Sequence, residues 1–351
     1  DTLAFWNEIL QHPDYDSYWK GRSLEQHLHG IKPAILVVGG SFDTDDCYGA
    51  LNTYKLIRQN SPETDLHLVY GPWTHGGWHE LDYEALGEVR FTKGLSQYFM
   101  KNIEYPFFRY YLEGKGKRPE PVYIAASASD KWQTMEQWPS DGLNYTQLYL
   151  NEDNALSFEA ETAEKSVSAY LSDPASPVPF MKDPSRRDNS YMAADQTFAS
   201  ERMDVITFTG EPLEETMKLQ GPVKVTLNLS ISTDDADVVV KLIDVYPGGY
   251  QMLIRGDVFP LRYRESLEEP KPSIPGEVMN IEFTMNDIAH FVHPGHRLMV
   301  QIQSSWFPLV NMNPQTYMDN IYMAAAEDYV RSEIRVYHQK DLQSYVVLPV
   351  N

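Results

Sequence analysis

The fold is decided by the stretch Ala34-Ile-Leu-Val-Val-Gly-Gly-Ser-Phe-Asp43, in which a short apolar run is closed by two glycines. Such a run is typical of a buried strand in a parallel sheet. Residues 46–59 then carry apolar side chains at helical spacing, and Leu66-His-Leu-Val-Tyr70 is a second apolar run, ended by Gly71-Pro72. A strand, a helix and a strand in this order predict an α/β sheet with parallel strands.

The residues on either side extend this pattern up to about residue 140. Apolar spacing predicts helices at 3–10, 15–29, 83–101 and 107–112, the last of them stopped by Gly114-Lys-Gly116. The run Val122-Tyr-Ile-Ala-Ala126 predicts a third strand. We therefore assign residues 1–140 to an α/β domain.

After residue 140 the sequence changes to short alternating runs separated by turn-rich segments. Strands are predicted at 146–150, 223–231, 238–245, 279–283, 298–302 and 332–337. Many short strands with Pro and Gly between them predict an all-β sandwich or jelly roll over residues 141–351. Four aromatic side chains are expected to lie buried at the junction of the two parts: Trp132, Trp138, Trp306 and Phe307.

The composition excludes several classes of function. The chain has 351 residues, and 29 Lys and Arg against 50 Asp and Glu give a formal net charge of −21. So acidic a surface repels phosphate backbones and anionic lipid headgroups, so neither a nucleic acid nor a membrane is expected as a partner. Cys47 is the only cysteine, which excludes an intrachain disulfide and a multi-thiolate metal site.

Asp43 and His75 carry the chemistry that the sequence indicates. Each follows the C-terminal end of a predicted parallel strand, the edge at which open α/β sheets display catalytic side chains. An acid after one strand and a histidine after the next match the last two members of a Ser…Asp…His triad in α/β-hydrolase order. There, His75 would take a proton from a serine hydroxyl while Asp43 fixes the imidazole tautomer. The alternative is that Asp43 caps the next helix and that His75 is an ordinary loop histidine.

Longer motifs surround these residues and continue through the rest of the chain. They are Gly39-Gly-Ser-Phe-Asp-Thr-Asp-Asp46, Tyr48-Gly-Ala-Leu51, Gly71-Pro-Trp-Thr-His-Gly-Gly-Trp78, Phe107-Phe-Arg-Tyr-Tyr-Leu-Glu-Gly-Lys-Gly116, Asp204-Val-Ile-Thr-Phe-Thr-Gly-Glu-Pro-Leu213, Lys241-Leu-Ile-Asp-Val-Tyr-Pro247, Gly295-His-Arg297 and Ser304-Ser-Trp-Phe-Pro308. Together they resemble the CocE/NonD group of serine hydrolases, which includes cocaine esterase, glutaryl-7-aminocephalosporanic-acid acylases, α-amino-acid ester hydrolases and X-Pro dipeptidyl-peptidases. One departure is Ser41, where relatives usually carry Trp.

The resemblance implies a fold and an activity. Residues 1–140 would be the C-terminal part of an α/β-hydrolase catalytic domain, and residues 141–351 a jelly-roll β-sandwich like the C-terminal domain of X-Pro dipeptidyl-peptidases. The implied activity is that of a serine hydrolase of acyl esters, amides or peptides, with a small acyl or peptide substrate and no cofactor. The rival hypothesis is a non-catalytic jelly-roll module for binding or assembly.

A nucleophile elbow of the form Gly-x-Ser-x-Gly does not occur in the 351 residues. The resemblance implies that the nucleophile, the oxyanion hole and a helical cap precede the triad acid. Because the chain begins at Asp1 without an initiator Met, we expect an N-terminal segment of the same protein to supply the serine, and residues 1–351 alone to be inactive. Any signal peptide would lie in that segment. The compartment therefore stays unknown, with a periplasmic or secreted location favoured over a cytoplasmic one, and a homo-oligomer stays open.

Asp45 and Asp46 follow the proposed triad acid by two and three residues, where a helix is predicted to begin. In α-amino-acid ester hydrolases an acidic pair, usually Glu-Asp, has the same spacing. The resemblance therefore implies that these two carboxylates form a substrate-binding pocket for an ammonium group. The alternative is that both are helix-start acids, stabilised by the helix dipole.

Two other groups of potential metal ligands are present: His290, His293 and His296, and Asp234, Asp235 and Asp237. Residues three apart on a strand point to opposite faces, so a structural role is expected for the histidines. The acids lie in a predicted loop, where a solvated acidic turn is favoured over a calcium loop. We therefore expect no metal site.

Overall fold

The structure, a computed structural model, describes residues 3–351. Its α-helices are α1 (Ala4–Ile9), α2 (Ser17–Lys20), α3 (Cys47–Asn60), α4 (Leu95–Phe99), α5 (Tyr105–Glu113) and α6 (Thr197–Ser200). The strands of the first part are β1 (Ile35–Gly40), β2 (Leu66–Gly71), β3 (Ala85–Leu86), β4 (Val89–Arg90), β5 (Val122–Ala125) and β6 (Trp132–Met135). Those of the second part are β7 (Asn144–Leu150), β8 (Ala155–Ser157), β9 (Val167–Ser172), β10 (Ile206–Gly210), β11 (Met217–Ile231), β12 (Asp237–Val245), β13 (Gln251–Pro260), β14 (Met279–Val292), β15 (Arg297–Gln303), β16 (Ser332–Tyr337) and β17 (Tyr345–Val350).

Shorter helical segments connect these elements. Single 3₁₀ turns lie at Glu25–His27, Gly77–His79, Glu152–Asn154, Asn189–Ala193, Leu261–Tyr263, Ile321–Met323 and Ala326–Asp328, and a π-helical segment at Met100–Glu104 joins α4 to α5. Among the described residues, no helix is long and apolar enough to cross a membrane.

The first part is a four-stranded sheet in the order β1-β2-β5-β6. β1, β2 and β5 are parallel, and β6 runs antiparallel to β5. The register pairs Ile35 with Leu66 and Gly40 with Gly71, so the carboxyl ends of β1 and β2 lie side by side. The predicted parallel α/β arrangement is confirmed, and it fixes where the two candidate catalytic turns meet.

The second part is rich in β-structure and forms a single hydrogen-bonded sheet of eleven strands within the described residues. Neighbouring strands are antiparallel except β8 and β10, and the longest pairing joins β11 to β14. Side chains from strands far apart in the sheet order, such as Val240 of β12 and Val346 of β17, belong to one buried core. The sheet therefore closes over on itself, with its apolar face inside.

The two parts share a continuous apolar core. Val69 and Trp73 from the first part pack in the same cluster as Ile243 and Trp306 from the second, and Trp132 packs against it. Trp138 is likewise buried, in a cluster that includes side chains of β14. The expectation for Phe307 is wrong, because its side chain is 38% exposed.

A buried carboxylate adds polar contacts across the same junction. Asp287 of β14 is 5% exposed and accepts hydrogen bonds from Lys55 Nζ at 2.7 Å and from Trp138 Nε1 at 2.8 Å. Its backbone carbonyl accepts hydrogen bonds from the Tyr70 hydroxyl and from Arg255. Burying a polar group without a hydrogen-bond partner costs free energy, so an arrangement of the two parts that broke these contacts would be less stable. The contacts therefore fix the position of the α/β part on the β-rich part.

Two predicted helices differ from the structure. The first part of the helix predicted at 83–101 is the hairpin β3–β4, because Gly87 takes a positive φ of 56° and turns the chain. The helix starts only after Gly94, which also has a positive φ. The helix predicted at 15–29 shrinks to α2 and one 3₁₀ turn, and Asp16 caps α2 by accepting from the Tyr18 N–H.

The expected solvated turn at Asp234–Asp237 is wrong. Asp235 is fully buried and accepts two hydrogen bonds from Arg262, at 2.8 and 2.6 Å. Asp237 is also buried and accepts from the Asn313 amide, and burial raises the pKa of this carboxyl to about 7. These acids belong to the interior of the β-rich part because a distant arginine and amide satisfy them.

Candidate active site

Asp43 and His75 lie on two turns that follow β1 and β2 and contact each other through the backbone. The Ser41 N–H donates to the Gly71 carbonyl at 2.8 Å, and the Phe42 N–H donates to the Trp73 carbonyl at 3.0 Å. The turns approach so closely that a Cβ at Gly40 would lie 2.2 Å from the Trp73 carbonyl oxygen. Only glycine fits at that position, and the two turns are therefore held in one arrangement.

This arrangement brings the two predicted catalytic side chains into contact. The distance from His75 Nδ1 to Asp43 Oδ2 is 3.0 Å. The other carboxylate oxygen, Asp43 Oδ1, accepts from the backbone N–H groups of Asp45 and Asp46 at 2.9 and 3.0 Å. Asp43 is 3% exposed, whereas the His75 side chain is 57% exposed. A buried, fully paired carboxylate thus holds an imidazole that projects into open space.

The contact with Asp43 sets the tautomer of His75. An ionised carboxylate only accepts hydrogen bonds, so Nδ1 carries the proton and Nε2 is left with a free lone pair. Among residues 3–351, Nε2 has no hydrogen-bond partner. The Asp43 hydrogen bond and charge raise the pKa of His75, and Asp45 and Asp46 raise it further. A raised pKa makes His75 a better proton acceptor.

Asp45 and Asp46 lie beside this pair but differ from each other. The Asp45 carboxylate accepts a hydrogen bond from Arg187 Nη2 at 2.5 Å, and this guanidinium lowers the pKa of Asp45. Asp46 is the residue before α3, and its carboxylate occupies the space where a side chain at Gly49 would be. Partial burial and the Asp43 charge raise the pKa of Asp46.

Asp43, Asp45 and His75 also offer three ligand atoms within 4.8 Å of one another, a spacing that a metal ion could use. Each of these groups is engaged elsewhere, however. Asp43 binds His75 and two backbone N–H groups, and Asp45 binds Arg187. A cation would have to displace these contacts, so the donor set suits a hydrogen-bonded acid–base pair better than a metal centre.

Arg255 is a residue that the sequence did not single out. It extends from β13 and is 3% exposed. Its Nη2 donates to the Ser41 carbonyl at 2.8 Å, and its Nη1 donates to Cys47 Sγ at 3.0 Å. Cys47 Sγ in turn donates to the Asp43 carbonyl at 2.9 Å. The β-rich part therefore holds the backbone of the turn that carries Asp43.

A second chain of Ser, His and Asp lies elsewhere in the molecule. The Ser127 hydroxyl is 2.7 Å from His290 Nδ1, and His290 Nε2 is 3.1 Å from Asp244 Oδ2. His296 Nδ1 contacts the other oxygen of Asp244 at 2.8 Å. Ser127, His290 and Asp244 are each at most 1% exposed, so no acyl substrate can reach the serine. We interpret this chain as a structural link between the two parts.

A cleft of about 360 Å³ opens beside Asp43. It is lined by side chains from both parts of the molecule, including Asp45, Tyr48, Tyr191 and Trp306. The candidate site is therefore built at the junction, with the acid–base pair from the α/β part and one wall from the β-rich part.

Comparisons with known proteins identify the family. Residues 1–77 match the family model of X-Pro dipeptidyl-peptidase (S15 family), and residues 104–347 match that of the X-Pro dipeptidyl-peptidase C-terminal non-catalytic domain. The chain belongs to the CocE/NonD family of hydrolases.

Three proteins of known name are similar to nearly the whole chain. An aminopeptidase from a marine sediment archaeon, Thaumarchaeota archaeon, is 34% identical with a TM-score of 0.95 over 100% of the chain. An α-amino acid ester hydrolase is 34% identical with a TM-score of 0.94 over 99%. Cocaine esterase of Rhodococcus sp. (strain MB1 Bresler) is 27% identical over 98%. The chain spans 60%, 61% and 61% of these relatives' own lengths, respectively.

The raised pKa of His75 generates a prediction that residues 1–351 can test by themselves. Replacing Asp43→Asn removes the main charge that stabilises the imidazolium, so we expect the His75 pKa to fall toward the ordinary histidine value. Because the pKa of His75 is higher in the folded state than in the unfolded state, the Asp43–His75 pair adds to the free energy of unfolding at low pH. This contribution is complete below the ordinary histidine pKa and is lost as the pH rises through the raised pKa.

The measurement is an NMR titration that gives the pKa of the His75 ring in the wild-type chain and in Asp43→Asn. An Asp130→Asn variant, which changes an exposed aspartate, is the matched control and should leave the titration unchanged. A His75 pKa that is equal or higher in Asp43→Asn would contradict the assignment of Asp43 as the charge that acts on the ring.

Proposed function

We propose that the protein is a serine hydrolase of acyl esters, amides or peptides, and that Asp43 and His75 are the acid and base of a Ser-His-Asp triad. The observation that carries this proposal is the 3.0 Å contact between His75 Nδ1 and buried Asp43, with Nε2 left open. The serine would come from a segment of the same protein that precedes Asp1. Residues 1–140 would then be the C-terminal part of the α/β-hydrolase catalytic domain, and residues 1–351 alone would be inactive.

In this mechanism His75 Nε2 accepts the proton of the serine hydroxyl as the serine oxygen attacks the acyl carbon. The imidazolium that results is stabilised by the Asp43 carboxylate, whose Oδ1 is held in place by the backbone N–H groups of Asp45 and Asp46. His75 then donates the proton to the leaving alcohol or amine, and an acyl-serine remains. In the second half, His75 takes a proton from water as the water oxygen attacks the acyl carbon. The bond between the acyl carbon and the serine oxygen then breaks, the carboxylic acid leaves, and His75 returns the proton to the serine oxygen.

The β-rich part would act as a wall of the site rather than as a second catalytic unit. We propose that residues 141–351 are a jelly roll, as in the resembled domains of this family. The matching family model describes a non-catalytic domain over residues 104–347. The contacts of Arg255 with Ser41 and Cys47 support a bracing role for this part. A purely binding or assembly module would not require the paired Asp43 and His75.

For the substrate, we propose an acyl group that carries a free α-amine. Asp46 is the carboxylate available to an ammonium group, since it has no cationic partner among the described residues, and Asp45 lies next to it. Two of the structural relatives are an aminopeptidase and an α-amino acid ester hydrolase, names that fit substrates with this group. A carboxylate paired with an ammonium group makes a charge-assisted hydrogen bond, which is about twice as strong as a neutral one.

The triad proposal predicts the kinetics of the protein complete with its upstream segment. Asp43→Ala and His75→Ala should each lower kcat on the order of 10⁴-fold, because triad members act as a unit. The control His29→Ala changes an exposed histidine and should leave kcat unchanged. Residues 1–351 alone should hydrolyse the same esters no faster than buffer. Retained activity in Asp43→Ala, or turnover by residues 1–351, would contradict the proposal.

The ammonium pocket predicts a preference that one pair of substrates can measure. We expect the complete protein to have a higher kcat/KM for an amino-acid ester than for its N-acetylated twin. Asp46→Asn should reduce that preference about tenfold or more, since a charge-assisted hydrogen bond contributes about 1.5–3 kcal/mol. Asp130→Asn is again the matched control. Equal specificity constants for the two esters, or an unchanged ratio in Asp46→Asn, would leave helix-start acids as the explanation.

A further inference from the structure

Arg187 extends from the surface segment between β9 and α6 to the candidate site. Its Nη2 donates to Asp45 Oδ1 at 2.5 Å and to Thr44 Oγ1 at 3.0 Å. Thr44 in turn donates to the side chain of Asn189 at 3.4 Å. A cation of the β-rich part therefore occupies one of the two carboxylates that lie beside the acid–base pair.

The contact is of a kind that can be exchanged. The side chain of Arg187 is 63% exposed and that of Asp45 is 50% exposed, so water screens their attraction. Exposed ion pairs contribute little net stability and open readily. Asp46 directly precedes α3 and has Asp43 and His75 as its charged neighbours. No arginine or lysine among the described residues pairs with it. The Asp45 carboxylate is thus paired with a cation of the protein, whereas the Asp46 carboxylate is not.

Arg187 also lies at an entrance that a substrate could use. The segment 184–187 lines a cleft of about 450 Å³ together with Thr44, Asp45, Tyr191 and Leu309. This cleft and the one beside Asp43 share Asp45 and Tyr191. A ligand that reaches Asp45 through the 450 Å³ cleft passes the Arg187 guanidinium, which lines that cleft.

We propose that Arg187 is a specificity-determining residue that competes with the substrate's ammonium group for Asp45. While Arg187 holds Asp45, discrimination depends on Asp46 alone; when a cationic acyl group displaces Arg187, both carboxylates can receive it. The inference rests on the proposed ammonium pocket. It assigns to Arg187 the function of limiting the preference for acyl groups with a free amine over neutral acyl groups.

The test is Arg187→Gln in the protein complete with its upstream segment, assayed on an amino-acid ester and its N-acetylated twin. We expect kcat/KM for the amino-acid ester to rise about two- to fivefold, the range that an exposed ion pair represents. At a pH above the acid limb, the value for the N-acetylated ester should not change. Arg335→Gln is the matched control, because Arg335 makes an equally short and half-exposed ion pair with Glu333, and neither of these residues lines the two clefts of the site.

A second readout does not depend on ammonium binding. The charged groups facing His75 are Asp43, Asp45 and Asp46, and Arg187 acts on His75 through Asp45. Without Arg187, the uncompensated Asp45 charge should raise the His75 pKa. The acid limb of kcat/KM for the N-acetylated ester should therefore move to higher pH in Arg187→Gln.

The outcomes separate the two levels of the proposal. If the wild-type protein shows no preference between the two esters, the ammonium pocket itself is wrong. A second outcome is that the wild type prefers the amino-acid ester and Asp46→Asn loses that preference. If Arg187→Gln then leaves the ratio of the two kcat/KM values and the acid limb unchanged, the ammonium pocket stands and the proposed role of Arg187 is overturned. A fall in kcat/KM for the amino-acid ester in Arg187→Gln would also overturn it.

Discussion

The hydrogen bond between His75 and Asp43 depends on the close approach of the two turns that follow β1 and β2. Two backbone hydrogen bonds join these turns, and the absence of a side chain at Gly40 lets them meet. Asp43 is then buried, with both carboxylate oxygens engaged, and a buried charge is tolerated only when it is paired in this way. The orientation of the imidazole, its tautomer and the direction of its pKa shift all follow from that constraint.

The β-rich part contributes to the site through two arginines with different properties. Arg255 is buried and bonds to the backbone and thiol of the Asp43 turn, so it fixes geometry. Arg187 is exposed and bonds to a side chain, so its contact can be exchanged for another cation. The same half of the chain therefore supplies a rigid brace and an exchangeable contact to a site whose acid and base belong to the other half.

Local sequence patterns predicted the parts of the molecule in which one short segment determines the outcome. The apolar runs of β1 and β2, the intervening helix, and the strand-end positions of Asp43 and His75 all follow from residues close in sequence. The hairpin at 85–90 was missed because its apolar residues also fit a helical period, and a single glycine with positive φ decides between the two. The partners Arg187 and Arg255 could not be found because they lie 142 and 208 residues from Asp45 and Cys47. In the structure, Ser127, His290 and Asp244 also form a hydrogen-bonded Ser-His-Asp chain, and their burial is what excludes them as a catalytic set.

Every catalytic role proposed above requires that His75 is the base for a serine outside residues 1–351. The most direct measurement is a crystal structure of the complete protein after reaction with an alkyl phosphonate that labels nucleophilic serines. We expect one labelled serine, located upstream of Asp1, with its Oγ within hydrogen-bond distance of His75 Nε2 while Nδ1 stays on Asp43. A labelled serine whose nearest imidazole is another histidine, or a His75 ring turned away from Asp43 in that complex, would contradict it.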